Sequence, residues 1–511
     1  MVTYSSIITK CRRVIGNDHM ILGVLAMIAG GLAGSAVTLF REFIALIQAL
    51  LFGSTSERLF VNADALAWWK ILLVPVVGGL VVGAVVHFLL PQKRPHGVAD
   101  VIEASALKGG RMSSRTGLVA ALASAISIGT GASVGREGPA VHLGASLAGW
   151  MGRRLHLTRS LIRTLLGCGV AAAVAASFNA PIAGALFASE VVIGHYALRA
   201  FAPIVIASVA GTAVSRAFFG DFPAFALAET PLASFWEFPA FVGLGVTAGI
   251  AAIVFMHIIF LVQQLATKTP LPGWLKPAVG GLMVGLIGLV FPEVLGVGYG
   301  LTEDALLFNI SLSMLVVLCL AKIAATAISI GWGFAGGVFS PSLVIGALLG
   351  GAWGVVVTSL FPEYSSGASA YTLIGMGAMA AAVLGAPIST TLIIFEMTGD
   401  YALTLGVMGA VVIASEITQQ LYGRSFFSEQ LKRRGIDLKG GFEADVMHSI
   451  RIGTILAKDS ELVSMDVCLP DLRTMLQNSK IGEIYVIRES GVLYGTITLA
   501  DMSEAAFDKA Y

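Results

Sequence analysis

The chain has 511 residues, 56% of them hydrophobic and only 12% charged, with a mean hydropathy of +0.85. A soluble globular protein carries roughly 25% charged residues, so an ordinary water-soluble enzyme is excluded. The net charge of +1 leaves no basic excess to neutralise phosphates, and no nucleic-acid partner is expected.

The charge is unevenly spread. Residues 1–423 hold 39 charged side chains, whereas residues 424–511 hold 24. This pattern predicts a short cytoplasmic segment (1–19), a membrane domain (20–423) and a soluble cytoplasmic tail (424–511). Cys11, Cys168, Cys319 and Cys468 lie far apart without metal-ligand spacing, so neither a disulfide framework, a metal nor another cofactor is expected. The first apolar run begins near Met20 and shows no small-residue cleavage site, which argues against a cleavable signal.

A bilayer core needs about 20 apolar residues per helical span. Candidate spans cover 20–52, 68–90, 117–151, 161–193, 201–219, 238–265, 277–291, 310–330, 337–360, 373–395 and 405–421. Several are too long or too short for one crossing, and many of the 60 glycines interrupt them. Unwound backbone at membrane depth is tolerated only where it is protein-buried or lines a cavity, so the pattern points to a transporter or channel. Basic clusters at 10–13, 93–94, 153–163 and 432–434 place both termini in the cytoplasm.

An internal repeat divides the membrane domain at about 219/220. Gly129, Gly131, Gly135, Pro139, Gly144, Ala145, Leu147 and Gly149 each find an identical residue 202 positions later. A second pair follows: Asn179-Ala180-Pro181-Ile182, ending at Glu190, matches Gly385-Ala386-Pro387-Ile388, ending at Glu396. Paired broken segments in two halves are the mark of inverted-repeat transporters and usually flag the site.

In Gly135-Arg136-Glu137-Gly138-Pro139, glycine lets the backbone bend, and proline at a helix start forfeits no hydrogen bond. The outcome is a helix N-terminus with unpaired N–H groups. Gly337-Val338-Phe339-Ser340-Pro341 repeats the device. Two such ends converging at mid-membrane make an anion site from partial charges alone, which lets an ion bind and still leave. Glu137 is a carboxylate inside membrane sequence, costly and functional by default. Its side chain can occupy the site as a tethered anion, and protonation or displacement would vacate it: a gate, and a candidate proton carrier. The plainer alternative is that Glu137 pairs with Arg136 or caps the helix.

These residues carry a family resemblance. The chain resembles the CLC family of chloride channels and chloride/proton exchangers, on the GREGP stretch with His142, the Gly-x-Phe-x-Pro stretch at 337–341 and the Asn-Ala-Pro segment ending at Glu190. The resemblance implies an all-α polytopic membrane protein, an inverted repeat of broken and tilted helices, assembled as a homodimer with one pore per subunit. It also implies Glu137 as the external gating glutamate, and chloride cradled by backbone amides near Arg136, Glu137 and Gly138 and near Val338 and Phe339.

Three departures from the family pattern bear on mechanism. The family's first motif usually reads Gly-Ser-Gly-Ile-Pro, but here the stretch is Pro95-His96-Gly97-Val98-Ala99. Either the His96 imidazole donates to the anion, or its ring faces away and a backbone amide serves. The usual inner tyrosine is replaced by Phe427, which has no hydroxyl to donate. The internal proton-relay position of well-coupled exchangers is Val191, beside Glu190. Valine carries no proton, which favours passive conduction over proton-coupled exchange.

In the tail, 483–487 and 492–498 read as strands around a turn at Glu489-Ser490-Gly491, preceded by a helix at 471–477. This small α/β module resembles one cystathionine-β-synthase-type (CBS) repeat over about 445–511, on Val446-Met447 and on the run from Gly495 to Asp501. The resemblance implies Thr498 and Asp501 as the residues that would touch the ribose of an adenine nucleotide.

The expected function is therefore chloride transport across a lipid bilayer, in a prokaryotic inner membrane, without enzymatic activity. A proton-coupled antiporter of chloride or fluoride is the alternative. A metal-dependent intramembrane hydrolase using Glu137 or Glu190 is a distant one, since the sequence offers no clustered ligands.

Overall fold

The computed structural model describes residues 18–56, 60, 66–194, 198–220, 234–307, 309–436, 461–479, 483–488, 490–498 and 501. Nearly all of the segment 1–19, with Cys11 and the basic cluster at 10–13, lies outside them, as do Val446-Met447, Glu489 and Leu499-Ala500. The chain forms two compact units, Met1–Lys439 and Gly440–Tyr511.

The first unit is built of helices. In chain order they are α1 (Asp18–Phe52), α2 (Trp68–Leu89), α3 (Val98–Leu107), α4 (Ser114–Gly129), α5 (Glu137–Arg154), α6 (Arg159–Phe178) and α7 (Pro181–Phe187), which widens into a π-type turn over Ala188–Ile193. They continue with α8 (Leu198–Phe219), α9 (Phe238–Lys268), α10 (Lys276–Gly288), α11 (Tyr299–Leu306), α12 (Leu312–Gly331) and α13 (Phe339–Leu360). The last are α14 (Ala368–Leu384), α15 (Pro387–Thr398), α16 (Tyr401–Leu421) and α17 (Phe426–Lys432). Among the described residues, eight helices are long and apolar enough to cross a membrane, and four apolar ones are shorter.

Three stretches that read as single spans are each two helices. Residues 117–151 break between α4 and α5, 161–193 between α6 and α7, and 373–395 between α14 and α15. The cause is local backbone chemistry. Gly131 turns with φ +95°, and Asn179 and Gly385 end their helices in the left-handed region at +59° and +68°. Glycine tolerates that region freely and asparagine better than most residues, and Pro181 and Pro387 then restart the helices.

The two halves repeat these details and complete each other. Gly131 and Gly333 share the same turn, at φ +95° and +98°. Ser127 Oγ at the end of α4 accepts from Ala335 N at 3.1 Å, and Ser329 Oγ at the end of α12 accepts from Ser133 N at 3.1 Å. Glu190 closes α7 and takes the amides of Ile388 (3.1 Å) and Ser389 (2.9 Å) at the start of α15. Glu396, near the end of α15, takes those of Ile182 (3.0 Å) and Ala183 (2.7 Å) at the start of α7. Each carboxylate satisfies orphan N–H groups of the other half, at the end of the helix dipole that favours an anion.

Core helices approach closely where glycines face each other. A Cβ on Gly144 (α5) would collide with the Gly169 carbonyl (α6), and one on Gly346 (α13) with that of Gly375 (α14). Small residues at such crossings let membrane helices pack backbone to backbone, where lipid offers no hydrophobic drive.

In the second unit, β1 (Leu462–Ser464), α18 (Leu469–Asn478), β2 (Glu483–Ile487) and β3 (Leu493–Thr498) form a three-stranded sheet in the order β1-β2-β3. β1 runs parallel to β2, and β3 antiparallel to it. Val463, Leu472, Leu476, Ile484 and Val486 make its core. The helix and the two long strands match the sequence reading. β1, three residues long, is too short to show a period of two.

Candidate functional site

The two motif loops meet at the centre of the first unit. Gly135 N donates to Gly337 O at 2.7 Å, and Gly337 N returns the bond to Gly135 O at 2.8 Å. This reciprocal pair brings the N-terminus of α5, which starts at Glu137, against that of α13, which starts at Phe339. Side chains are scarcely admissible here. A Cβ on Gly138 would sit 3.2 Å from Gly337 Cα, so glycine is what permits two helix ends with unspent N–H groups to converge.

Glu137 is fully buried at this junction. Its Oε1 accepts from the Tyr299 hydroxyl at 2.7 Å, and its Oε2 accepts from the Ser340 hydroxyl at the first turn of α13. The carboxylate of one half thus sits on the helix start of the other. The plainer contact is present as well, since Arg136 Nε lies 3.7 Å from Oε1. The Arg136 guanidinium also covers the Tyr299 ring, 4.6 Å from its centroid.

Two cavities flank the carboxylate. One, of about 280 Å³, is lined by Arg136, Gly298 and Tyr299. The other, of about 520 Å³, is lined by His96, Gly97, Gly138, Val338, Phe339 and Phe427, with Arg94, Arg433 and Arg434. Six of the eight residues predicted to bind an anion therefore share one cavity, and Arg136 faces the other. Glu137 lines neither and lies between them.

His96 and Gly97 already hold partners. The His96 ring has Nε2 3.2 Å from Pro91 O and Nδ1 3.4 Å from Asp100 Oδ1. Gly97 N donates to Asp100 Oδ2 at 2.9 Å. Asp100 also takes Arg94 at 2.5 Å and Arg434 at 3.1 Å. Burial opposes its ionisation, but the bonds from His96 and Arg94 and the charges of Arg434 and Arg94 outweigh that and hold the carboxyl well below the usual range.

Phe427 is 5% exposed in the cavity wall, beside Phe426 and near the start of α17. Val191 sits in the π-type turn, partly buried against the core. In the second unit, Thr498 N and Oγ1 both donate to Asp501 Oδ2 at 2.8 Å, so the two residues named for a nucleotide bond each other. Those bonds lower the Asp501 carboxyl below its ordinary value. Among the described residues, no group of three or more His, Cys, Asp or Glu is placed to hold a metal.

Sequence reasoning missed four residues. Asp100 carried a signal, as an acid three positions after a glycine at a helix start. So did Lys322, a single cation in the apolar α12. It is fully buried, and its Nζ donates to Val294 O (2.8 Å) and Gly296 O (2.9 Å), in the segment that leads into Tyr299. Ser340 lay inside a recognised motif without an assigned role. Tyr299 carried no signal, because only the fold brings it to Glu137.

A family model described as voltage gated chloride channel matches residues 78–419. The ClcB-like chloride channel protein of Ralstonia nicotianae is 36% identical over 412 residues, 80% of this chain and 96% of that protein. The voltage-gated ClC-type chloride channel ClcB of Escherichia coli is 32% identical over 410 residues, again 80% of this chain and 97% of that one. Among solved structures, a slow cyanobacterial Cl⁻/H⁺ antiporter superposes with a TM-score of 0.74 at 23% identity, over 81% of this chain and 97% of that one. A CLC-type fluoride/proton antiporter gives 0.67 at 22% identity, over 78% and 96%. With two convergent helix starts, a buried glutamate between them and relatives that align over most of their length, the chain belongs to the voltage-gated chloride channel (CLC) family of integral membrane proteins.

Proposed function

We propose that the chain conducts chloride passively, with Glu137 as the gate. The observation that carries this reading is the place of its carboxylate, at the start of α13 and between the two cavities. An ionised carboxylate there competes with chloride for the same N–H groups. Protonation weakens both hydroxyl bonds, and the released side chain opens the path. The amides near Arg136–Gly138 and Val338–Phe339 then hold the ion, and Arg94, Arg433 and Arg434 raise its concentration in the inner cavity. Phe427 supplies an apolar wall rather than a hydroxyl. Because His96 and Gly97 are engaged with Asp100, their part is to shape the cavity.

The absence of an acid at Val191 supports conduction without coupled protons. The second reading, exchange of chloride for protons, is favoured by the protonatable carboxylate in the path and by the antiporters among similar folds. In either case the working protein is a homodimer in a bacterial inner membrane with both termini in the cytoplasm. Residues 20–219 and 220–423 form its two repeats, and 445–511 its tail module.

The deciding experiment loads proteoliposomes with chloride and records chloride and external pH together, for the native protein and Glu137→Ala. Chloride efflux without stoichiometric proton uptake supports the channel. Proton uptake that Glu137→Ala abolishes supports the exchanger. Absence of chloride flux in both sinks the chloride reading, with fluoride tested next.

A further inference from the structure

A second cavity system lies away from the anion path, where two membrane helices end together. It occupies about 600 Å³ between the start of α9 and the end of α13, and Trp236, Glu237, Trp353, Phe361, Tyr364 and Tyr371 line it. Four of the six are aromatic rings other than the tyrosine at its floor. Trp236 is 80% exposed, as suits an indole at the level of lipid headgroups.

Two polar groups face this apolar hollow. Glu237 is only 3% exposed. Its oxygens accept from Ser366 N at 2.7 Å and Ser366 Oγ at 2.5 Å, and among the described residues no basic side chain pairs with it. Tyr371 is fully buried, and its hydroxyl faces Glu237 and Ser365. A carboxylate without a cation is costly at a membrane boundary and asks for a partner of the opposite charge. Aromatic faces together with a carboxylate recognise ammonium groups.

We infer that this groove binds the ammonium headgroup of a zwitterionic phospholipid such as phosphatidylethanolamine. The ammonium sits between the aromatic rings and Glu237, and an acyl chain runs along Val356, Val357 and Leu360 of α13. The site is independent of the anion path, so its failure would leave the proposed function untouched.

The test titrates delipidated protein in mixed micelles with palmitoyl-oleoyl phosphatidylethanolamine, read by tryptophan fluorescence and by thermal unfolding. Controls are phosphatidylglycerol with the same chains and free ethanolamine. Saturable binding of phosphatidylethanolamine over phosphatidylglycerol is expected, and Glu237→Gln and Trp236→Ala should each weaken it about tenfold. Trp236→Ala removes an exposed side chain and keeps the test valid if Glu237→Gln unfolds. Equal binding of both lipids, or unchanged binding in Trp236→Ala together with a folded Glu237→Gln, overturns the inference. Free ethanolamine binding as tightly as the lipid also overturns it, since the site would then be one for a small amine.

Discussion

The Tyr299 hydroxyl donates to Glu137 Oε1 at 2.7 Å, joining a residue of the second half to the buried carboxylate of the first. If Glu137 is the proposed gate, this bond latches its closed state. In Tyr299→Phe the latch loses one of its two hydroxyl donors. Chloride efflux from proteoliposomes should rise by about five- to thirtyfold near neutral pH, from a loss of about 1–2 kcal/mol. An unchanged efflux rate would remove Tyr299 from the proposed gate.

Lys322 acts one step further back. Its Nζ donates to the carbonyls of Val294 and Gly296, and the same segment carries Gly298 and Tyr299. Lys322→Met should raise chloride efflux as Tyr299→Phe does, and the double variant should behave like the stronger single one. Lys322→Arg, which keeps the charge, should recover most of the native profile. Additive effects in the double variant would separate Lys322 from the latch.

Asp100 makes a pH-dependent contribution to stability. Its folded carboxyl is held below the ordinary range, so the stabilisation is present above about pH 4 and is lost as pH falls further toward the folded value. Asp100→Asn should cost about 3 kcal/mol at pH 7, because Arg94 and Arg434 lose their shared carboxylate. It should also flatten that acid limb. Thermal unfolding in detergent between pH 3 and pH 7, native against variant, reads both effects.

Glu396 and Glu190 predict matched losses. Glu396→Gln weakens the bonds from Ile182 and Ala183, and Glu190→Gln those from Ile388 and Ser389. Each should destabilise by about 1–3 kcal/mol in a thermal melt. A neutral result for either would mean that water or another group serves that helix start.

The legible part of this molecule was whatever repeats. Gly135 with Gly337, and Asn179 with Gly385, stand at fixed offsets in the chain, so the broken helices and the convergent helix starts could be read before any coordinates. Glu137 was legible because a carboxylate in an apolar run is conspicuous. The bounds of single spans were not: 117–151 is largely apolar, and hydropathy does not register the turn at Gly131. Tyr299 and Ser340 became visible only through contacts made across more than 160 and 200 residues of sequence. At His96 the substitution was legible, but its ring orientation depends on Pro91 and Asp100 and had to be seen.

The exchanged caps of Glu190 and Glu396, with the paired backbone bonds of Gly135 and Gly337, carry a consequence for how such a chain comes into being. In these contacts each half gives the other what it receives. A lone half in a bilayer would carry an unspent carboxylate and a bare helix start, yet two copies of it, inserted head to tail, would satisfy both. Tandem fusion of two such halves keeps these mutual bonds while freeing the copies to diverge. That freedom shows where Glu137 has no acidic counterpart: the position 202 residues later is Phe339.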